Sequence, residues 1–213
     1  MKGRATDPGY LYADGKLNDS HNYLLPTTLS ILETINPSGA TMKVFELGCG
    51  NGSVAQAVSR LGYLVTGVDV SEQGIQQAHR TYPHLKLSQG SAYDNLVECY
   101  GTFPIVLSLE VVEHLYSPRS YAKNLHALLE PGGTAIVSTP YHGYWKNLAL
   151  AVTGKFDNHF TALWDHGHIK FWSIDTLSVL LREVGFGEIT AYRIGRVPAL
   201  AKSMIAVARK PFV

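Results

Sequence analysis

Three glycines alternate along residues 46–52, where they allow a tight backbone turn and the close approach of a ligand. The spacing G-x-G-x-G, at Gly48, Gly50 and Gly52, brings the third glycine one residue earlier than in the dinucleotide fingerprint G-x-G-x-x-G. Glu46 lies two residues before the first glycine, and its charge suits a cationic ligand better than a pyrophosphate. The segment therefore disfavours an NAD-binding dehydrogenase.

A carboxylate follows at Asp69, 17 positions after Gly52, at the end of an apolar run. A carboxylate at the tip of a strand can accept hydrogen bonds from both hydroxyls of a ribose. Taken alone, Asp69 would be interpreted as a turn or capping residue. The glycine-rich turn and this acidic strand tip together predict a site for a nucleoside cofactor.

A second group of titratable residues, Glu110, Glu113 and His114, follows the apolar run 105–109. If a helical turn begins there, the three side chains share one face at positions i, i+3 and i+4. Two carboxylates and an imidazole suit Mg²⁺, Mn²⁺ or Zn²⁺. Without a metal, Glu113 or His114 could act as a general base, since histidine titrates near neutral pH.

The pattern of apolar residues predicts an alternation of strands and helices that positions these groups. Strands are predicted at 43–47, 64–69, 85–89, 105–109, 134–139, 188–194 and 202–209. Helices, with their caps, are predicted at 20–35, 53–61, 71–82, 95–100, 118–129 and 173–185. This alternation predicts a doubly wound α/β fold with helices on both faces of a parallel sheet, whose ligands lie beyond the carboxyl ends of the strands.

The composition favours one globular domain over residues 1–213, which begins with an arm and a helix at 1–40. The 18 basic and 17 acidic residues nearly balance, which disfavours a nucleic-acid-binding surface and a polybasic membrane anchor. Two cysteines, Cys49 and Cys99, are too few for a disulfide framework. Together with the lack of a signal-peptide pattern, they predict a cytoplasmic protein.

The chain is identified by its motifs as a member of the class I S-adenosylmethionine (SAM)-dependent methyltransferases. Residues 44–52 resemble the first motif of that family, 68–71 the second, and 128–133 its L-x-P-G-G turn. The resemblance implies a Rossmann-like sheet of seven strands, ordered 3-2-1-4-5-7-6, with an antiparallel last strand. It implies that SAM is bound by Glu46, Gly48, Cys49, Gly50, Asn51, Gly52, Asp69, Val70, Ser91, Ala92 and Leu109.

The chain is also similar to ubiquinone-biosynthesis O-methyltransferases and to small-RNA 2′-O-methyltransferases, which use an acidic-histidine cluster with a divalent cation. This similarity implies metal ligands at Glu110, Glu113 and His114, with His168, or alternatively His166, as the fourth. The cation would be one such as Mg²⁺. The expected catalytic residues are Glu113, His114 and His168. The sequence is also compatible with a methyltransferase that uses no metal.

Residues 141–168 form a long insertion, which we interpret as a cap over the substrate. Within it, 145–152 predicts a short helix that either touches a membrane or packs on the core. The expected acceptor is a small molecule with a phenolic or quinol-like hydroxyl. The alternatives are N- or C-methylation and a SAM-binding module without transfer activity; the near-neutral charge disfavours RNA. The sequence leaves the oligomeric state open.

Overall fold

The apolar runs form one seven-stranded sheet in the computed structural model, which describes residues 12–160, 162–165 and 167–212. The strand order is β3-β2-β1-β4-β5-β7-β6, as predicted. The first five strands are parallel, and β7 runs antiparallel to both β5 and β6. The strands are β1 (Lys43–Leu47), β2 (Leu64–Asp69), β3 (Lys86–Gln89), β4 (Phe103–Leu109), β5 (Leu129–Pro140), β6 (Ile189–Ile194) and β7 (Ser203–Arg209).

Helices connect the strands, and capping side chains start several of them. Ser71 accepts the backbone N–H of Gly74, and Ser173 forms a capping box with Thr176. Each cap satisfies an N–H group that the first helical turn leaves without a partner. The helices are α1 (Asp19–Ile35), α2 (Ser53–Ser59), α3 (Glu72–Thr81), α4 (Leu96–Tyr100), α5 (Pro118–Ala127), α6 (Tyr144–Val152), α7 (Phe156–Phe160) and α8 (Ile174–Glu183).

Two apolar layers enclose the sheet. On one face, α1, α2 and α3 pack against side chains of β1, β4 and β5 such as Val44, Ile105 and Ile136. On the other face, α4, α5 and α8 cover Phe45, Val106 and their neighbours. Because β4 is buried on both faces, its side chains are apolar almost throughout, as in the central strand of a parallel sheet.

The L-x-P-G-G segment differs from our prediction of a turn at 131–133 followed by a strand from 134. Instead, β5 begins at Leu129, and its register against β4 shifts before Thr134. The backbone N–H of Gly132 donates to the carbonyl of Pro211, and Gly133 accepts from Lys210. These bonds to the distant C-terminal residues keep the segment extended. The other predicted ends of strands and of the six predicted helices lie within two residues of the observed ones.

Candidate active site

A cavity of about 1090 Å³ opens at the carboxyl ends of β1, β2, β4 and β5. Residues after these strands line one side of the cavity, and α6 with the following segment lines the other. Sites for single small molecules usually measure roughly 300–1,000 Å³. This cavity is therefore large enough for a cofactor together with a second ligand.

The glycine-rich turn between β1 and α2 forms part of the wall. Gly48 and Gly52 have φ angles of 89° and 77°, which side-chain-bearing residues rarely adopt. A methyl group on Gly48 would lie 2.3 Å from Cγ2 of Val111, and one on Gly52 would lie 2.8 Å from Cδ1 of Leu87. Gly48 thus allows the turn to approach the segment after β4, whereas Gly52 allows α2 to pack against β3.

Asp69 at the tip of β2 accepts two backbone N–H groups. Its Oδ2 accepts from Gly50 at 2.8 Å, and its Oδ1 accepts from Ser71 at 2.8 Å. These bonds hold the glycine-rich turn against β2 and fix the carboxylate at the cavity wall. Each oxygen keeps one further acceptor position, which suits a pair of vicinal hydroxyls.

Most of the residues predicted to bind the cofactor line this cavity. They are Gly48, Cys49, Gly50, Asn51, Asp69, Val70, Ala92 and Leu109. Gly52 and Ser91 are not among the described residues that line it, although their neighbours are. Ser91 instead donates its N–H to Asp94 and accepts the N–H of Tyr93 through its hydroxyl.

Glu46 is buried in β1 and does not line the cavity either. Its side chain is 2 % exposed, and among the described residues Oε2 has no hydrogen-bond partner. Burial and the nearby charge of Asp69 raise the pKa of Glu46 well above its usual range. The negative charge that the sequence predicts beside the cofactor is therefore not present at the cavity wall, because Glu46 is buried and its ionised form is disfavoured.

Residues 12–18, here called the N-terminal segment, lie over the glycine-rich turn. Tyr12 and Gln73 form reciprocal backbone-to-amide hydrogen bonds of 3.0 and 2.7 Å. Asn51 donates to the carbonyls of Asp14 and Lys16 at 2.8 and 2.9 Å. The sequence predicts only an arm here, because no periodic pattern signals these long-range bonds; residues 1–11 of that arm lie outside the described residues.

Glu113, His114 and His168 come together in the structure, and the two histidines line the cavity whereas Glu113 lies behind them. Nε2 of each histidine lies 4.0 Å from Oε1 of Glu113, and one ligand atom from each of the three lies within 4.8 Å of the others. Glu113 is fully buried, and neither carboxylate oxygen has a hydrogen-bond partner among the described residues. Its pKa is raised well above the usual range by burial and by the charge of Glu110.

The two histidines are held in orientations that suit ligands. His114 Nδ1 lies 3.2 Å from the carbonyl of Gly167, which can only accept, so Nδ1 is the donor and Nε2 is the nitrogen that lies near Glu113. Burial and the neighbouring His114 lower the pKa of His168 to about 4. His168 is therefore neutral near pH 7, and a neutral imidazole nitrogen can bind a cation. His166, the alternative ligand, lies outside the described residues.

Glu110 is not part of this group, because the expected helical turn does not begin at residue 110. Glu110 has a φ of 57°, and a 3₁₀ turn follows only at Val112–His114. Its Oε1 accepts from Ser138 at 2.8 Å and its Oε2 from Ser203 at 3.4 Å. Burial raises the pKa of Glu110 to about 7. The carboxylate therefore faces the ends of β5 and β7.

The insertion after β5 forms α6 and α7 and contributes Lys146, Leu150, His159 and Trp164 to the cavity wall, together with His168. The predicted short helix is present as α6, and it leaves its apolar residues Tyr144, Trp145, Leu148 and Val152 exposed. Contact of this helix with a membrane stays a prediction. Within the described ranges, the structure has no helix with the length and apolar character needed to cross a bilayer.

The order of the seven strands is that of the class I SAM-dependent methyltransferase fold. Residues 16–190 match a family model described as a methyltransferase domain. The chain therefore belongs to the SAM-dependent methyltransferase family, as its motifs predicted.

Curated relatives within this family include ubiquinone biosynthesis O-methyltransferases. The protein of Ruegeria pomeroyi is 33% identical over 150 residues, which are 68% of this chain and 60% of that protein. The protein of Caulobacter sp. (strain K31) is 38% identical over 117 residues, which are 53% of this chain and 46% of that protein. The chain thus spans about half of the length of the curated relatives that it matches.

Solved structures agree on the fold. The methyltransferase domain of bacterial CtHen1 superposes with a TM-score of 0.67 at 20% identity, covering 90% of this chain and all of that one. Phosphoethanolamine N-methyltransferase 2 of Haemonchus contortus, in complex with SAM, gives 0.61 at 15% identity, covering 87% of this chain and 52% of that one. At these identities the likeness concerns the fold alone.

Proposed function

We propose that this chain transfers the methyl group of SAM to a hydroxyl of a small molecule, of the phenolic or quinol-like kind. The observation that supports this most is one cavity that is lined both by the turn with Asp69 and by His114 and His168, the two histidines beside the buried Glu113. The similarity to ubiquinone biosynthesis O-methyltransferases supports an oxygen atom as the methyl acceptor.

The reaction is an in-line displacement at the methyl carbon. The bond from carbon to the sulfonium sulfur breaks as the bond to the acceptor oxygen forms, and S-adenosylhomocysteine leaves. Such a transfer depends mainly on holding both reactants close and aligned. In this assignment the turn at Gly48 and Gly50 and the carboxylate of Asp69 fix the cofactor, and the insertion 141–168 acts as a cap that covers the acceptor.

The group of Glu113, His114 and His168 fits a divalent cation. Burial alone disfavours the ionised form of Glu113, whose two oxygens lack hydrogen-bond partners among the described residues, and a bound cation would stabilise that ionised form. A cation there would lower the pKa of an acceptor hydroxyl. If the three residues bind no cation, His114 Nε2 takes the hydroxyl proton instead, since His114 lines the cavity.

The test combines product analysis with calorimetry. The protein is incubated with SAM and a panel of catechols, hydroquinones and matched anilines, and mass spectrometry locates the added methyl group. Transfer to oxygen is expected; methylated nitrogen or carbon would favour the alternative chemistries. SAM binding without any product across the panel would favour a binding module instead.

Calorimetry with Mg²⁺, Mn²⁺ or Zn²⁺ tests the cation site separately. Glu113→Gln should abolish cation binding, because it removes the charge from the buried oxygens. Glu98→Gln, an exposed residue outside the cavity, serves as the matched control and should leave cation binding unchanged. Equal cation affinity in wild type and Glu113→Gln would refute the metal assignment while leaving the methyl-transfer proposal intact.

A further inference from the structure

Lys146 is a buried cation in the cavity wall. Lys146 lies on α6 and borders the cavity, and only 8% of the residue is exposed. Its Nζ donates to the carbonyl of Tyr141 at 2.8 Å and to that of Lys202 at 3.1 Å. An ammonium group has three donors, so one N–H remains for a ligand.

The charge of Lys146 has no paired carboxylate. Among the described residues, no carboxylate oxygen lies within 4.0 Å of Nζ. Glu110 is the acidic group that acts on Lys146 electrostatically, but its two oxygens are bound by Ser138 and Ser203. A buried charge without a partner is unfavourable, so a site that keeps one usually has a ligand for it.

Further cations surround this part of the cavity. Arg196 and Lys202, on the segment before β7, line the wall, and Lys155 follows α6. None of the three has a carboxylate within 4.0 Å in the part of the chain that the structure describes. Lys202 Nζ lies 5.1 Å from the centre of the Tyr23 ring, which places a cation beside an aromatic surface.

The ionisation of Lys146 agrees with this excess of positive charge. Burial, and after it the charge of Arg196, lower the pKa of Lys146 to about 8. The ammonium group is still mostly protonated at pH 7. Lys146 and Arg196 also lower the pKa of His159, after burial, so the positive potential extends along the wall.

This wall lies away from the cofactor turn. The carbonyls that Lys146 binds follow β5 and precede β7, which are two and three strands from β1. At about 4.8 Å between neighbouring strands, the wall is on the order of 10 Å or more from the turn after β1. On the proposed function, in which the turn binds SAM, this wall is therefore the one available to the second ligand of the cavity.

We propose that the methyl acceptor carries an oxyanion substituent, a carboxylate or a phosphate, which binds to Lys146 with Arg196 and Lys202 at the mouth of the cavity. The identity of this ligand as the methyl acceptor rests on the proposed function, whereas the oxyanion subsite follows from the cations that have no paired carboxylate. The acceptor class is thus an acidic phenol or quinol and not a neutral one.

Two probes of the same shape test the charge. The protein, loaded with S-adenosylhomocysteine, is titrated with 3,4-dihydroxybenzoate and with 3,4-dihydroxybenzamide in a calorimeter. Hydrogen bonds to charged groups predict that the carboxylate binds roughly 10- to 100-fold more tightly than the amide. Equal affinity of the two probes for the wild-type protein would overturn the proposal.

Substitutions then locate the subsite. Lys146→Met should bring the affinity ratio of the two probes close to one, and the exposed Arg196→Gln should lower it several-fold without disturbing the fold. Lys43→Met, an exposed lysine outside the cavity, is the matched control and should leave the ratio unchanged. A ratio that Lys146→Met and Arg196→Gln both leave unchanged would refute this placement.

Two further readings separate the possible outcomes. Displacement of the benzoate by millimolar inorganic phosphate would assign the subsite to phosphate esters, and lack of displacement would assign it to carboxylates. Lysine-dependent binding without methylation of any hydroxyl would support the subsite while refuting the proposed O-methylation. Methylation of neutral and acidic acceptors at equal kcat/KM would support the proposed O-methylation while refuting the oxyanion subsite.

Discussion

Replacing Asp69 by alanine should weaken SAM binding more than any other single truncation at the turn. Each Asp69 oxygen accepts one backbone N–H at 2.8 Å, from Gly50 or from Ser71. Two acceptor positions then remain for the ribose hydroxyls. Hydrogen bonds to a charged group contribute ~1.5–3 kcal/mol each, so losing two should cost about 3 kcal/mol or more. This corresponds to a roughly 100-fold higher Kd for S-adenosylhomocysteine.

The assay is isothermal titration with S-adenosylhomocysteine at constant ionic strength. Asp69→Ala also leaves two N–H groups without their acceptor, so the free energy of unfolding should fall by about 2 kcal/mol. Circular dichroism must therefore show that the variant is folded at the assay temperature. Glu72 is exposed and lies three residues after Asp69, so Glu72→Ala removes a charge of the same sign nearby. This control should bind S-adenosylhomocysteine with a Kd within about threefold of wild type.

One result would refute this assignment. If folded Asp69→Ala bound S-adenosylhomocysteine within threefold of wild type, the carboxylate would serve only the turn, and the ribose would be bound elsewhere. A parallel loss in Glu72→Ala would mean that the effect comes from the net charge of the region and not from hydrogen bonds.

Three further predictions concern the same region. Gly48→Ala places a methyl group 2.3 Å from Val111 at a φ of 89°, so urea unfolding should show a loss of ~2–5 kcal/mol. Gln73→Ala removes both bonds to Tyr12 and should speed dissociation of S-adenosylhomocysteine several-fold in stopped flow, while an unchanged rate would mean that the N-terminal segment does not retain the cofactor. Burial lowers the pKa of His21 from 6.5 to about 4, so at this residue the unfolded state binds more protons below pH 6.5. The free energy of unfolding of wild type relative to that of His21→Gln should therefore fall by about 2 kcal/mol from pH 7 to pH 5, because the other buried groups titrate alike in both proteins.

The sequence by itself determined the sheet and the cofactor wall. Apolar runs of strand length, separated by helices with serine caps, were sufficient for the alternation of strands and helices and for most boundaries. The strand order followed from the resemblance of the motifs to those of SAM-dependent methyltransferases. The turn at Gly48 and Gly50 and the carboxylate of Asp69 are also local, because each directly follows a strand whose end is visible in the sequence.

Only the tertiary structure decided which distant groups meet in the cavity. Glu110 and Glu113 are three residues apart, but the left-handed residue 110 sends one carboxylate toward Ser203 and leaves the other beside His168. The N-terminal segment and the unpaired Lys146 depend on backbone contacts across the chain, as does the extended start of β5. Backbone carbonyl and N–H groups are chemically alike along the chain, so the pattern of side chains does not predict which of them will be hydrogen-bond partners.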